Sequence, residues 1–404
     1  MKTKIYKSKA KGNIFAPTSK SMAHRLLIAA ALADGKSTIS GVTLCEDVLA
    51  TLDCLDALGV EFGISGDTVT VYGRKLQNSI PKSPLNARES GSTLRFMLPI
   101  CLLSGNEAVL HGAKRLLDRP MEIYEELCET KRFRYVKCCD SITVQGKLSG
   151  GDYFLPGNIS SQFITGLLLA LSATGEESRI IITTEIESKS YIELTRRAMA
   201  EFGVEAVWED SQTLYLKGGQ KYTPRCLSVE GDYSAGAFLE AFNLFGGEVN
   251  VLGLSEESLQ GDRVYKDFFS ELLEGTPVIN IEDCPDLGPI LFAASSALFG
   301  AEFIGTKRLK IKESDRAWAM AEELRKFGCD ITVSENSVSI KKSALHSPTQ
   351  ILSGHNDHRI VMSLAVLASV FGGEIDGSEA IKKSYPDFFS DIESLGIKFT
   401  HYET

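Results

Sequence analysis

Six times along this chain a polar cluster is followed by an apolar run of helical length, then a glycine, then a short β-rich segment. The copies read "TSKSMAHRLLIAAALADGKSTISGV", "ESGSTLRFMLPICLLSGNEAVLHGA", "NISSQFITGLLLALSATGEESRIIIT", "DYSAGAFLEAFNLFGGEVNVLGL", "DLGPILFAASSALFGAEFIGTKRL" and "SGHNDHRIVMSLAVLASVFGGEIDG". A repeated supersecondary unit cannot bury its apolar face alone, so the copies must pack on one another. Between them lies a more amphipathic piece, such as "EDVLATLDCLDALGVEFGISGDTVTVYG" or "SDRAWAMAEELRKFGCDITVSENSVSIKK", which reads as a helix, a turn and two short strands. The unit is helix, strand, helix, strand, strand, with a period of roughly 55 to 70 residues.

One helix of each unit is apolar nearly all round and the other amphipathic, which predicts an inner and an outer layer in an α/β protein. Six inner helices divide into two groups of three, and 404 residues exceed one ordinary core, so two domains are expected. A crossover near "TPRCLSVEGD" separates the groups, and the fourth copy, from Asp262, has lost much of its hairpin. Gly35, Gly105, Gly175, Gly246, Gly300 and Gly372 fall where helix C-caps belong, and Pro120, Pro289 and Pro386 where first turns do.

The polar residues collect at the helix entrances. Ser19, Lys20, Ser21 and Arg25 stand at the first inner helix; Glu89, Ser90, Gly91, Ser92, Thr93 and Arg95 at the second; Ser160, Ser161 and Gln162 at the third. Asp286 precedes the fifth, and His355, Asn356, Asp357, His358 and Arg359 precede the sixth. The amphipathic helices add Asp118 and Arg119, then Ser188, Lys189 and Tyr191, then Lys310, Lys312, Glu313, Asp315 and Arg316, and finally Lys383. Each cluster alone reads as a solvated cap. A cation in a first turn, however, faces the positive end of the helix dipole, and an anion bound there compensates for it. Seven or eight such cations together would repel one another without a ligand, which points to substrates bearing phosphate and carboxylate. Asp286 and Glu313 stand among them, either as structural ion pairs or as groups that exchange a proton with a substrate.

The charge balance narrows the partner. Lys and Arg number 43 against 53 Asp and Glu, a net charge of −10, which argues against a nucleic acid or membrane held by a general basic field. The basic N-terminus lacks an apolar core, and no run reaches the roughly twenty apolar residues of a membrane span. Nine cysteines without a C-x-x-C pair read as reduced residues of a cytoplasmic protein.

In order along the chain, "PTSKSMAHR", "SGSTLR", "DRPM", "SSQF", "ESKSYIE", "PDLGPILFAA", "KIKESDRAWAMAEELRKFG", "NDHR" and "KKSYPDFF" resemble the 5-enolpyruvylshikimate-3-phosphate synthase (3-phosphoshikimate 1-carboxyvinyltransferase) family. The resemblance covers nearly the whole length. It implies a two-domain, inside-out α/β barrel of six βαβαββ repeats, three per domain. One domain is then 19–227 and the other 1–18 with 228–404, the latter taking the first strand, with the active site in the interdomain cleft. It also implies a monomer that moves the enolpyruvyl group of phosphoenolpyruvate to the 5-hydroxyl of shikimate 3-phosphate without metal or organic cofactor.

Residue by residue, the family pattern places Lys20, Gly91, Arg95, Arg119, Arg316, Arg359 and Lys383 around phosphoenolpyruvate. Ser21, Arg25, Ser160, Ser161, Gln162, Ser188, Tyr191, Asp286 and Lys312 match positions that hold shikimate 3-phosphate. Asp286 matches the base for the 5-hydroxyl, Glu313 the proton donor to the methylene carbon, and Lys20 and His358 further catalytic positions. Gly91 would leave room beside the enolpyruvyl site and make the enzyme sensitive to glyphosate. Glu89 stands where the family usually has Asn, Ser92 where it often has Thr, and Arg308 where Asn is common. The alternatives are the sister transferase acting on UDP-N-acetylglucosamine, disfavoured by Ser19 to Ser21 and Asn356 to Arg359, and a non-catalytic anion-binding protein on the same scaffold.

Overall fold

The computed structural model describes residues 1–402 and resolves the chain into two compact units, one of Thr18–Glu230 and one of Met1–Pro17 with the chain from Gly231 onward. Each has its own apolar core. They are called below the Thr18 unit and the Gly231 unit.

The Thr18 unit holds three four-stranded sheets with one pairing scheme. In the clearest, Leu85–Asn86 pairs parallel with Ala108–His111, which pairs antiparallel with Ser141–Gln145, itself in a hairpin with Arg134–Lys137. A parallel pair needs a crossover, and here that crossover is the inner helix Gly91–Cys101. Gly151–Leu155 with Ser178–Ile182 repeats the arrangement around the helix Ser161–Thr174. In the remaining sheet the parallel partner of Gly35–Ser40 is Cys226–Ser228, so the end of the unit closes back on its beginning.

The Gly231 unit has two such sheets and one reduced to a pair. Lys11–Phe15 and Glu248–Leu252 form that pair, because only three residues separate the end of the helix Tyr265–Glu274 from Val278–Asn280, which joins the following sheet. The hairpin of the fourth repeat is therefore gone, as the shortened "ELLEGTPVIN" indicates. Lys2–Tyr6 inserts between Gly373–Asp376 and Lys398–Tyr402, antiparallel to both. Among the described residues no helix is long and apolar enough to cross a membrane.

The two helix types differ as their sequences require. Met22 through Ala31 of Lys20–Leu32 and His358 through Ser369 of His358–Phe371 are all buried, whereas Lys189–Glu201 buries only Ile192, Leu194, Thr195, Ala198 and Met199. Some boundaries depart from the expected ones. Gly175 (φ 77°), Gly246 (φ 78°) and Gly372 (φ 77°) cap helices, but Gly35 and Gly300 are first residues of strands and Gly105 lies in the turn beyond its helix. All six have positive φ, so the sequence marked turns correctly but not which element each turn closes. Pro289 lies in a first helical turn, while Pro120 and Pro386 precede the caps Met121 and Asp387.

Candidate active site

In the Thr18 unit, side chains tie the starts of several helices together. Ser19 caps Lys20–Leu32 by accepting from the Met22 amide at 3.3 Å, which sets Lys20 in the first turn; its ammonium donates to the Asp47 carboxylate at 2.8 Å. Arg25, one turn further, is 2 % exposed. It donates to the Ser21 carbonyl (2.7 Å), the Thr195 hydroxyl (2.9 Å), the Tyr191 carbonyl (3.1 Å) and the Thr165 hydroxyl (3.3 Å). Burial pulls its pKa down to about 10, which leaves it charged at neutral pH. A buried cation with only neutral partners among the described residues is costly, and an anion docking beside it would repay that cost.

A second cluster surrounds Gly91. Ser90 caps Gly91–Cys101 through the Thr93 amide at 3.2 Å, and Arg95 donates to Gln162 Oε1 at 2.7 Å and to the Pro120 carbonyl at 3.2 Å. Gln162 Nε2 donates to Ser92 Oγ at 3.0 Å. A Cβ on Gly91 would lie 3.0 Å from Arg119 Nη1 and 3.4 Å from Arg95 Nη1, so the two guanidinium groups close on bare backbone where only glycine fits without displacement. Ser160 caps its own helix through the Gln162 amide at 3.4 Å, Ser161 is buried beside it, and Ser188 begins Lys189–Glu201 with φ 55°.

The Gly231 unit gathers the rest. Asp286, in the turn Pro285–Leu287, accepts from Arg316 Nη1 at 2.7 Å and from Arg359 Nη2 at 2.8 Å, and pairs with the Lys312 ammonium at 3.3 Å. Arg316, 1 % exposed, also donates to Glu313 at 2.5 Å and to Asp357 at 2.8 Å. Burial favours a neutral Asp286, but Arg359, Lys312 and Arg316 together outweigh it and hold the carboxyl well below its usual range. Burial likewise opposes charge on Arg316, and Asp357, Glu313 and Asp286 raise its pKa well above the ordinary value. Lys312 is shifted down, chiefly by burial. His358 is buried in the first turn beside Arg359, and Lys383 Nζ donates to the Asn356 carbonyl at 2.5 Å. Arg308 is buried and lies 3.5 Å from the Glu282 carbonyl.

This corrects one expectation. The cations of the Gly231 unit do not face one another uncompensated: Asp286, Glu313 and Asp357 stand against Lys312, Arg316 and Arg359. Asp357 is also more than a cap. It accepts from the Arg359 amide at 3.0 Å as the helix cap, and from the Ser314 hydroxyl at 3.0 Å and Arg316 as well, so a single buried carboxylate starts the helix that carries Arg359 and holds the Arg316 guanidinium.

Three supporting groups had no signal in the sequence. Asp47 holds Lys20. Asp262, 2 % exposed, accepts from the Ser234 hydroxyl, and its carboxyl is pushed up to about 7 by burial and by the charge on Asp286. Glu323, fully buried, accepts from Lys326 Nζ at 2.8 Å and the Ser353 amide at 2.8 Å, and lies 2.9 Å from His355 Nε2. It braces the turn in which Asp357 N donates to the Gly354 carbonyl at 2.8 Å, with His355 (φ 48°) and Asn356 (φ 51°) both left-handed. Glu322, Glu323 and His355 are the one His/Cys/Asp/Glu group of metal-ligating spacing among the described residues, but the Lys326 ammonium already occupies both Glu323 oxygens. Glu323→Gln leaves the turn without its charged brace and is expected to lower stability by about 1–3 kcal/mol. An unchanged urea midpoint would contradict that role.

The family model described as EPSP synthase (3-phosphoshikimate 1-carboxyvinyltransferase) matches residues 6–272 and 265–392. The 3-phosphoshikimate 1-carboxyvinyltransferase of Clostridium novyi is 37% identical over 425 residues, covering 97% of this chain and 97% of that protein. That of Clostridioides difficile is also 37% identical over 425 residues, with the same coverage of both. The solved structure of the EPSP synthase from Acinetobacter baumannii, 22% identical, superposes with a TM-score of 0.78 over 100% of both chains. That last likeness establishes the two-domain inside-out α/β fold.

Proposed function

The chain belongs to the EPSP synthase family, and from that premise we propose that it transfers the enolpyruvyl group of phosphoenolpyruvate to the 5-hydroxyl of shikimate 3-phosphate, releasing phosphate. This is a carboxyvinyl transfer within aromatic amino acid biosynthesis. The observation that carries the reading is Arg316, whose one buried guanidinium holds both Asp286 (2.7 Å) and Glu313 (2.5 Å). A base and an acid are thereby set on opposite arms of one rigid cation.

In the proposed reaction Glu313, the anionic partner of Arg316 before substrate binds, takes up a proton as the substrate anions draw on Arg316, and gives it to the methylene carbon of phosphoenolpyruvate, with Lys20 beside the phosphate. The 5-hydroxyl oxygen bonds to the adjacent carbon as Asp286 accepts its proton. The tetrahedral product then returns a methyl proton to the Glu313 carboxylate as its carbon–oxygen bond to phosphate breaks, and the departing phosphate carries away the proton that Asp286 took from the hydroxyl. Asp286 is a poor acceptor while three cations hold its charge, but substrate anions that draw on Lys312, Arg316 and Arg359 would raise its basicity. Arg25, with Ser21, Ser160, Ser161, Gln162, Ser188 and Tyr191, suits the shikimate ester. Lys20, Gly91, Arg95, Arg119, Arg316, Arg359 and Lys383 suit phosphoenolpyruvate, and His358 the reacting carbon. These residues come from both units. Arginines in fixed forks orient phosphate and carboxylate and stabilise the departing phosphate. The enzyme is further read as a cytoplasmic monomer without nucleic-acid or membrane partners; the net charge of −10 supports the lack of a general basic field, and nine cysteines without a C-x-x-C pair support a reducing compartment.

The test is phosphate release from phosphoenolpyruvate with shikimate 3-phosphate, run beside UDP-N-acetylglucosamine. Release with the shikimate ester alone is expected; release with the sugar nucleotide alone would overturn the assignment. Gly91→Ala should press its methyl on Arg119 and Arg95 and raise KM for phosphoenolpyruvate about tenfold, a loss of about 1.4 kcal/mol. Glyphosate inhibition should weaken by at least that factor while KM for shikimate 3-phosphate stays constant. Equal losses for both substrates would contradict a local steric effect.

A further inference from the structure

Behind the Gly91 cluster lies a chain of buried polar groups that the proposed mechanism does not use. His24, fully buried on Lys20–Leu32, places Nδ1 2.8 Å from the Thr51 hydroxyl on the helix Glu46–Ala57. Thr51 Oγ1 is 2.7 Å from Thr93 Oγ1, and Thr93 donates at 2.8 Å to Ser90 Oγ, the cap of Gly91–Cys101. Three helices are thus joined by side chains that are all fully buried.

The direction of this chain follows from donor counting. Each hydroxyl has one proton to give. His24 Nε2 is buried without a partner, its ring meeting Phe96 edge-on at 6.4 Å. A proton on Nε2 would be an orphaned buried donor, at a cost of about 1–3 kcal/mol. The proton therefore belongs on Nδ1, which donates to Thr51, which donates to Thr93, which donates to Ser90. Burial, with Lys20 and Arg25 nearby, keeps the ring from taking a second proton near neutrality.

We propose that His24 is a positioning residue for the enolpyruvyl-phosphate site, fixing the start of Gly91–Cys101, and with it Gly91 and Arg95, through Thr51 and Thr93. Asp47, on the same helix as Thr51, holds Lys20 through its carboxylate, and its carbonyl lies 3.3 Å from Thr93 Oγ1 as a close neighbour, the one Thr93 proton going to Ser90. Lys20 and Arg95 are thereby referred to one internal frame. The inference rests on the enolpyruvyl-transfer reading for its kinetic consequence but not for the hydrogen-bond chain itself.

Two measurements separate the layers. In nitrogen-15-labelled protein, His24 should show a protonated Nδ1 and a bare Nε2 at pH 7; the opposite tautomer would overturn the relay whatever the enzyme's substrate. In steady-state assays, His24→Leu should raise KM for phosphoenolpyruvate about tenfold, with KM for shikimate 3-phosphate changed less than threefold. His24→Asn, which keeps a donor near the Nδ1 position, should recover most of the loss. Thr51→Val should match His24→Leu, and the double variant should be no worse than either alone. Wild-type kinetics in His24→Leu, equal rises in both KM values, or no recovery with Asn would each overturn the positioning role. Wild-type protein that binds phosphoenolpyruvate but releases no phosphate would instead overturn the reaction assignment, leaving the tautomer and the binding affinities of the variants to decide on His24.

Discussion

Arg316→Ala is expected to abolish turnover and to destabilise the protein by about 3–5 kcal/mol, the range for removing one partner of a buried ion pair. The guanidinium is 1 % exposed and touches Asp286, Glu313 and Asp357, the last fully buried. Without it Asp357 must take up a proton or draw in water, and the orientation of Arg359 and Glu313 is lost. Arg316→Lys should keep the charge but recover only part of the stability, because one ammonium cannot reproduce a planar fork. The pH dependence follows from the same contacts. Asp286 and Asp357 have pKa values depressed below the unfolded range of about 4, so their contribution is present above that range and vanishes as pH falls through the folded values. Arg316→Ala removes much of that depression, so the variant should unfold at a higher pH than the parent during acid titration. Coincident acid transitions and equal denaturant midpoints would show that Arg316 does not carry the cluster.

Asp286→Asn is expected to lower kcat by roughly 10²–10⁴, the range for loss of a general base. Asn keeps an acceptor oxygen for Arg316 and Arg359, so the fold should survive. It also removes a negative charge from beside Lys312, Arg316 and Arg359, which makes this end of the unit more positive. Anion affinity should therefore hold or improve while turnover collapses, a pattern that an unfolded or misplaced site cannot produce. Titration calorimetry with shikimate 3-phosphate, beside single-turnover phosphate release, would measure both. A kcat within threefold of the parent would remove Asp286 from the chemistry and leave it a structural counter-ion.

Much of this molecule was legible without coordinates. The six repeats, the inner and outer helices and the shortened fourth unit are all local patterns, visible because burial periodicity and turn chemistry act within a few residues. The same holds for the helix entrances: a cation placed where the backbone already presents positive charge is a local anomaly, and Lys20, Arg95, Arg316 and Arg359 stand out for that reason. Where a rule depends on what the next element does, it slipped. Gly35 and Gly300 look like helix stops and are strand starts.

What the tertiary structure alone decided is which charges are neutralised and by whom. Arg316 lies 30 residues from Asp286 and 41 from Asp357 in sequence, separations at which contact is set by packing rather than spacing, yet its one guanidinium joins them. Asp47, Thr51, Asp262 and Glu323 sit in segments whose sequence reads as ordinary helix surface or turn, and His24 and Thr93 at inner-helix entrances where nothing in the sequence joins the one to the other. They acquire meaning only when a second helix brings a partner within hydrogen-bond reach. The sequence could place cations at helix starts as candidates for anion binding because helix geometry is local; the balance of charge that tunes those groups is a sum over neighbours from distant segments, and that sum exists only in the folded chain.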